Sequence, residues 1–192
     1  VNSDHRDEKN MLRDRYRNPL ETLNFFRVEP SMTIVELSPG RGWYTEILAK
    51  YMFENGRYIA VPYNPNLGGY AERLWDNYSS LLQSNEIYSK IEISYLFDKM
   101  AEDESVDAVL TFRNVHNWIN DGAKNAKIIF EQTYNVLRSG GFFGVVEHRA
   151  KINTSVEDMY KSGYVTEQFI IDLARDTGCL LYTSPSPRDR YI

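Results

Sequence analysis

Two rhythms of apolar and polar positions alternate along this chain: short contiguous apolar runs, and longer stretches in which apolar residues return every three or four positions. The contiguous runs are MTIVEL (32–37), GRYIAV (56–61), KIEISYL (90–96), VDAVLTF (106–112) and GFFGVVEH (141–148), and they predict buried strands. Between them, WYTEILAKYM (43–52) places Ile47, Leu48 and Tyr51 on one side, and GYAERLWDNYSSLLQS (69–84) carries Leu74, Tyr78 and Leu81 at helical spacing. AKIIFEQTYNVL (126–137) and TEQFIIDLARDTG (166–178), the latter capped by Thr166, complete the predicted helices. Strands alternating with helices through short connections predict an α/β fold, a mostly parallel sheet with helices on both faces. No linker or repeat divides residues 1–178, so a single domain is expected, with a helical extension over about residues 1–30. The stretch 149–165 is long enough to act as a mobile lid.

Within the extension, Asn18 as cap, Pro19 at the first helical position and Glu21 three residues after the cap predict a helix start, with Leu20, Leu23 and Phe26 as its apolar contacts. Upstream, DEKNMLRDRYR reads as a charged helix. Either Met11, Leu12 and Tyr16 lie against a groove or the whole stretch is a solvated helix.

Charge removes some functions. With 22 basic against 27 acidic side chains, and Lys and Arg scattered, nothing points to a nucleic-acid partner. No apolar run approaches the roughly 20 residues that span a bilayer, so no membrane partner is expected. A cytoplasmic location is the expectation; the chain begins at Val1 and not Met, so an exported form follows if a leader has been removed. The single cysteine, Cys179, excludes an internal disulfide. It also opens CLLYTSPSPRD (179–189), eleven residues that resemble the in-frame translation of a transposase-type sequencing adapter. Residues 179–192 are therefore expected to be a non-native tail, with the native sequence breaking off near Gly178; the alternative is a Ser/Pro-rich disordered end.

The segment VELSPGRGWYTE (35–46) sets a proline and two glycines between the first strand and its helix. In parallel α/β sheets ligands bind beyond the carboxyl ends of strands, and this turn lies at that edge. Gly40 and Gly42 let backbone approach a ligand, and the helix start offers free N–H groups; simple turn geometry is the alternative. The dinucleotide pattern G-x-G-x-x-G fails at Thr45, and AVPYNP after the second strand offers no acid for a ribose, so NAD is disfavoured.

VELSPGRGWYTEILAKYM followed by GRYIAV resembles the first motif and second strand of the class I S-adenosylmethionine-dependent methyltransferases. Glu36 matches the motif acid, Gly40 and Gly42 its second and third glycines, and Ser38 stands where the first would be. YRNPLETLNFF, DAVLTFRNVHNWI and VLRSGGFFGVVEHRA extend the resemblance over about residues 11–178, toward a little-characterised group of predicted methyltransferases. The resemblance implies a Rossmann-like class I methyltransferase fold with S-adenosyl-L-methionine as cofactor. Glu36, Ser38, Pro39, Gly40, Arg41, Gly42, Tyr63, Asn64, Arg113 and Asn114 are the implied cofactor-binding residues. Tyr63 or Asn64 would replace the missing ribose acid. The family fold ends in two further strands, one antiparallel, which a chain broken near Gly178 lacks; LLYTS can imitate one of them at most.

Methyl transfer from a sulfonium is an in-line displacement for which the protein chiefly positions donor and acceptor. A base is needed only where the acceptor loses a proton. TFRNVHNW (111–118) follows the fourth strand; Asn114 is a hydrogen-bonding candidate, His116 the candidate base and Trp118 a candidate apolar wall. The alternative for His116 is a hydrogen-bonded loop histidine. His148, with Arg149, is the second catalytic candidate at the end of the fifth strand, and Glu147 beside it also permits a structural ion pair. No metal is expected, since His5, His116 and His148 lack ligand spacing. Tyr44, Tyr63, Tyr70, Tyr160 and Tyr164 fall near loop edges and are candidates to line a pocket for a small-molecule acceptor. The expected function is methyl transfer to such an acceptor; the alternative is a non-catalytic S-adenosylmethionine-binding or regulatory protein of the same fold.

Overall fold

Five apolar runs become five strands, the three central ones, over 33–37, 57–61 and 106–112, paired on both edges and buried on both faces. The computed structural model describes residues 3–181. The strands are β1 (Thr33–Leu37), β2 (Arg57–Val61), β3 (Glu92–Ile93), β4 (Val106–Phe112) and β5 (Leu137–Val146), in the order β3-β2-β1-β4-β5. Every pairing is parallel. The chain thus runs outward from β1 to β3 and restarts on its other side with β4, which makes the carboxyl ends of β1 and β4 the point of reversal.

The chain forms two compact units, one containing everything up to Asn114 together with Asn135–Val146, the other Val115–Tyr134 together with the chain from Glu147 onward. All five strands belong to the first. Register aligns Ile34 with Tyr58 and Ala108, and Glu36 with Ala60 and Leu110, so these residues share one face. Against that face pack Leu23 of α3 (Pro19–Phe25), Ile47, Leu48 and Met52 of α4 (Thr45–Met52), and Tyr78 of α5 (Gly69–Ser84). On the opposite face Val35, Leu37, Ile59, Val61 and Val109 are equally inaccessible. Such two-sided burial explains why the strands read as continuous apolar runs.

Before the sheet come α1 (Glu8–Met11) and α2 (Asp14–Arg17). They are fastened by charge. Arg6 is buried, donates to both carboxylate oxygens of Asp14 at 2.7 and 3.0 Å, and lies 3.5 Å from Glu46 of α4. Asn10 Nδ2 donates to Glu46 Oε1 at 2.8 Å, and Trp43 Nε1 donates to the Asn10 carbonyl at 2.9 Å. Leu12 and Tyr16, expected as possible groove contacts, are instead exposed, at 68% and 72%.

In the second unit, the 3₁₀ turn Val115–Trp118 precedes α6 (Lys124–Val136), whose last turn returns the chain to the first. Helices α7 (Val156–Ser162) and α8 (Glu167–Asp176) follow β5. Ser155 caps α7 through Asp158 N–H and Thr166 caps α8 through Phe169 N–H. The predicted cap at Thr166 is therefore as expected, and the stretch 149–165 contains α7 and pairs Arg149 with Val165.

Other expectations shift in detail. Asn18 does precede Pro19 at the helix start, but it adopts left-handed φ 44° and its side chain makes no cap bond. Leu20 and Tyr51, expected to pack inward, are exposed. The strand predicted over 90–96 shrinks to Glu92–Ile93, since as an edge strand it pairs only with β2. The last strand runs from Leu137 to Val146, starting earlier than expected and ending two residues before His148. The adapter-like segment from Tyr182 onward, and any strand it might imitate, lies outside the described residues. Among the described residues, no helix is long and apolar enough to cross a membrane.

Leu110 is wholly buried at the sheet's centre. Leu110→Ala is expected to cost about 2–5 kcal/mol in urea denaturation, against less than about 0.5 kcal/mol for exposed Leu12→Ala.

Candidate functional site

The turn after β1 is strained and closely tied. Ser38 N–H donates to Val61 O at 2.9 Å, which holds the turn against the end of β2, and Gly42 N–H donates to Pro39 O at 3.0 Å. Ser38, Gly40 and Gly42 all have positive φ, at 52°, 63° and 82°. For Ser38 this left-handed backbone costs about 1–2 kcal/mol. Its Oγ is buried without a hydrogen-bond partner. The two glycines serve different purposes. A Cβ on Gly42 would collide with Leu81 and crowd Tyr78, so this glycine lets α5 pack on the turn. A Cβ on Gly40 would meet nothing within 4 Å, so the backbone there borders open space. Arg41, between them, is exposed and Pro39 is buried.

Directly beneath lies a buried polar cluster. Glu36 accepts hydrogen bonds from Thr45 Oγ1 at 3.2 Å and from the Tyr58 hydroxyl, and Thr45 Oγ1 also contacts the hydroxyls of Tyr58 at 3.0 Å and Tyr78 at 3.2 Å. Burial pushes the Glu36 carboxyl up to about 7, against the opposing pull of its Tyr58 and Thr45 hydrogen bonds. Tyr58 and Tyr78 are likewise raised by burial and then by the Glu36 charge. Glu36, expected among the cofactor-binding residues, thus directs its carboxyl inward to β2 and the first residue of α4.

Asn114 ties β4 to the same turn. Its Nδ2 lies 3.2 Å from both Leu37 O and Ser38 O and 3.1 Å from Thr111 Oγ1. Arg113 takes left-handed φ 61°, its N–H donating to Val146 O at 2.7 Å. After β2, the Asn64 side chain accepts from Asn66 N–H and caps the 3₁₀ turn Pro65–Leu67. Tyr63 meets Tyr70 edge-on at 6.5 Å. The ends of β1, β2 and β4 therefore bring Ser38 to Gly42, Tyr63 and Asn64, and Arg113 and Asn114 to one edge of the sheet.

In the second unit His116 has a partner. Its Nδ1 lies 3.0 Å from Glu147 Oε2, and Glu147 also accepts from the backbone N–H groups of His116 at 3.4 Å and His148 at 2.9 Å. A carboxylate only accepts, so the Nδ1 proton points at Glu147 and leaves Nε2 as the basic nitrogen of the neutral ring. His148 is exposed and stacks on Tyr164 with centroids 5.1 Å apart. Trp118 is buried, at 1% exposure. Tyr44 is buried too, lying flat on Phe112 at 3.4 Å, while Tyr70, Tyr160 and Tyr164 are exposed.

Sequence reasoning missed Thr45, Tyr58 and Tyr78. Only pairing register could have found Tyr58, Tyr78 was legible as a helix residue but not as a partner of Thr45, and Thr45 was visible as the residue breaking the glycine pattern. Among the described residues no group of three His, Cys, Asp or Glu side chains is placed to hold a metal ion.

No protein-family model matches the sequence, and no curated protein matches it. Solved structures do. The chain is similar to a SAM-dependent methyltransferase from Aquifex aeolicus, with TM-score 0.64 and 15% identity over 84% of this chain and 79% of that one. It is similar to the [4+2]-cyclase SpnF, with TM-score 0.66 and 14% identity over 92% of this chain and 61% of that one. A third neighbour is phosphoethanolamine N-methyltransferase 2 from Haemonchus contortus in complex with S-adenosyl-L-methionine, with TM-score 0.59 and 15% identity over 85% of this chain and only 36% of that one. The fold is thus the Rossmann-like class I methyltransferase fold, a five-stranded parallel sheet with helices.

Glu36 binds its proton more tightly folded, at about 7, than at its ordinary 4.5. Its stabilising contribution is therefore full below pH 4.5 and is lost as pH rises through 7, a decline of about 3 kcal/mol over that window. Denaturant titrations from pH 4.5 to 8 are expected to show this slope in the native chain and a flatter one in Glu36→Gln.

Proposed function

We propose that the Ser38–Gly42 turn holds S-adenosyl-L-methionine and that the chain transfers its methyl group to a small-molecule acceptor. The observation that carries this reading is the open, left-handed backbone at Gly40, next to the partnerless buried hydroxyl of Ser38. Such a cradle suits a ligand that must approach main chain closely, and methyltransferases among the structural neighbours support the choice of ligand. When bound, the donor supplies an already activated methyl on a sulfonium. The chain's own work is placement. Gly40 and Arg41 offer backbone groups beside the unpartnered Ser38 hydroxyl, Asn114 fixes the turn to β4, and Tyr63 or Asn64 would hold the ribose. Glu36 acts as a positioning residue through Thr45 and Tyr58.

Where an acceptor must lose a proton, His116 is assigned as base at Nε2, with Glu147 fixing its tautomer. His148 is kept as the second candidate. A non-catalytic donor-binding protein is the alternative, favoured by the absence of an acid after β2 and by the commitment of Asn64 to its own turn.

Calorimetric titration with S-adenosylmethionine and S-adenosylhomocysteine is expected to give binding that Gly40→Ala weakens by about tenfold or more while the chain stays folded. No binding to the native chain would remove both readings; binding without turnover on an acceptor panel would favour the second. Nitrogen-15 NMR is expected to find the His116 proton on Nδ1, with that preference lost in Glu147→Gln.

A further inference from the structure

Between the amino-terminal segment, α3 and α4 lies a cavity of about 150 Å³. Buried Leu23, Val28 and Ile47 give it an apolar wall. Its polar end is formed by the charged side chains of Arg6 and Glu46, residues only 4% and 2% exposed. Asn24 and Lys50, both exposed, line the side that opens to solvent. No residue of the Ser38–Gly42 turn takes part, so this space is distinct from the site described above. A cavity of this size takes a molecule about as large as benzene.

The two carboxyl oxygens of Glu46 are served unequally. Oε1 accepts from Asn10 Nδ2 at 2.8 Å, whereas Oε2 is buried and accepts no hydrogen bond. The donors around it are committed elsewhere. Arg6 directs both terminal nitrogens at Asp14, at 2.7 and 3.0 Å, and its Nε stands 3.5 Å from Oε2, close enough for attraction but outside hydrogen-bonding geometry. His5 Nε2 lies 2.7 Å from the Glu46 main-chain carbonyl, which only accepts, so the proton on that nitrogen is donated there. One guanidinium therefore serves two carboxylates, Asp14 and Glu46. A buried acceptor left without a donor costs free energy that an N–H on a ligand recovers, and a cationic one recovers most.

We infer that this cavity is a binding site for a small primary amine, whose ammonium donates to Glu46 Oε2 while its alkyl body lies on Leu23, Val28 and Ile47. An acid does not suit the place. The guanidinium of Arg6 already faces carboxylates at every nitrogen, and the group left wanting a partner is an acceptor. The inference does not depend on methyl transfer, and its readout needs no methyl donor.

Methyl NMR of Leu23 and Ile47 is followed during titration with n-butylamine, 1-butanol and butyrate at neutral pH and matched ionic strength. The amine is expected to shift these methyls and to bind about tenfold or more tightly than the alcohol of the same shape, with butyrate weaker than both. Glu46→Gln keeps the side-chain shape and is expected to lose the preference for amine over alcohol. Because that change also removes a carboxylate from Arg6 and can destabilise the fold, Asn24→Trp supplies a second test from an exposed position on α3. It blocks the opening and is expected to weaken n-butylamine by about tenfold with the unfolding temperature unchanged. Absence of amine binding, or 1-butanol or butyrate bound as tightly as the amine, would overturn the proposal. So would an amine preference kept by folded Glu46→Gln, or an amine affinity in Asn24→Trp equal to that of the native chain. Amine bound by Lys50→Met but not by the native chain would assign the cavity to the chain's own lysine and overturn it likewise.

Discussion

The buried cluster of Glu36, Thr45, Tyr58 and Tyr78 is the constraint around which the first unit is arranged. It joins the end of β1, the start of α4, β2 and α5 through one shared set of hydroxyls and a single carboxyl. A buried polar group without partners costs several kcal/mol, so once Glu36 sits on the inner face of β1 the surrounding elements must supply donors. Tyr58 and Thr45 do so, and Tyr78 joins the cluster through Thr45. Their geometry in turn fixes where α4 begins, and hence the shape of the turn that precedes it.

That turn is then forced into a left-handed path. Gly42 makes room for Leu81 of α5, and Ser38 accepts an unfavourable φ because its N–H is anchored to Val61 and its carbonyl to Asn114. Backbone strain persists only where surrounding contacts over-determine it. Here the over-determination comes from β2 on one side and β4 on the other, the two strands that pair with β1. Open space at Gly40 is the residue of that arrangement and the feature most suited to a ligand.

The amino-terminal segment is bound to the same region by charge instead of by apolar burial. Arg6, Asp14 and Glu46 form a buried ionic group, and Trp43 carries Arg17 on its face. Attaching the segment to Trp43 and Glu46, just past the turn, couples its position to the site. A buried ionic contact of this kind is weak evidence for added stability but strongly dependent on each partner, since removing one leaves a buried charge uncompensated.

Much of the fold was legible in the chain because burial on both faces leaves a plain trace. The runs at β1, β2 and β4, the helix at 69–84, the helix start at Pro19 and the cap at Thr166 all follow from local pattern, and the glycine turn marked the edge of the sheet at the end of β1. Local pattern could not decide what is set by pairing. Whether Glu36 faces a ligand or the interior depends on its register with Ala60 and Leu110, and the partner of His116 lies 31 residues away at Glu147. The exposure of Leu12 and Tyr16, and the seating of Arg17 on Trp43, likewise come from how separated segments meet. The sequence by itself determined which segments are strands and helices and where the chain must bend. Tertiary structure decided which charged groups are buried and against what, because the cost of a buried charge depends on neighbours that no stretch of sequence contains.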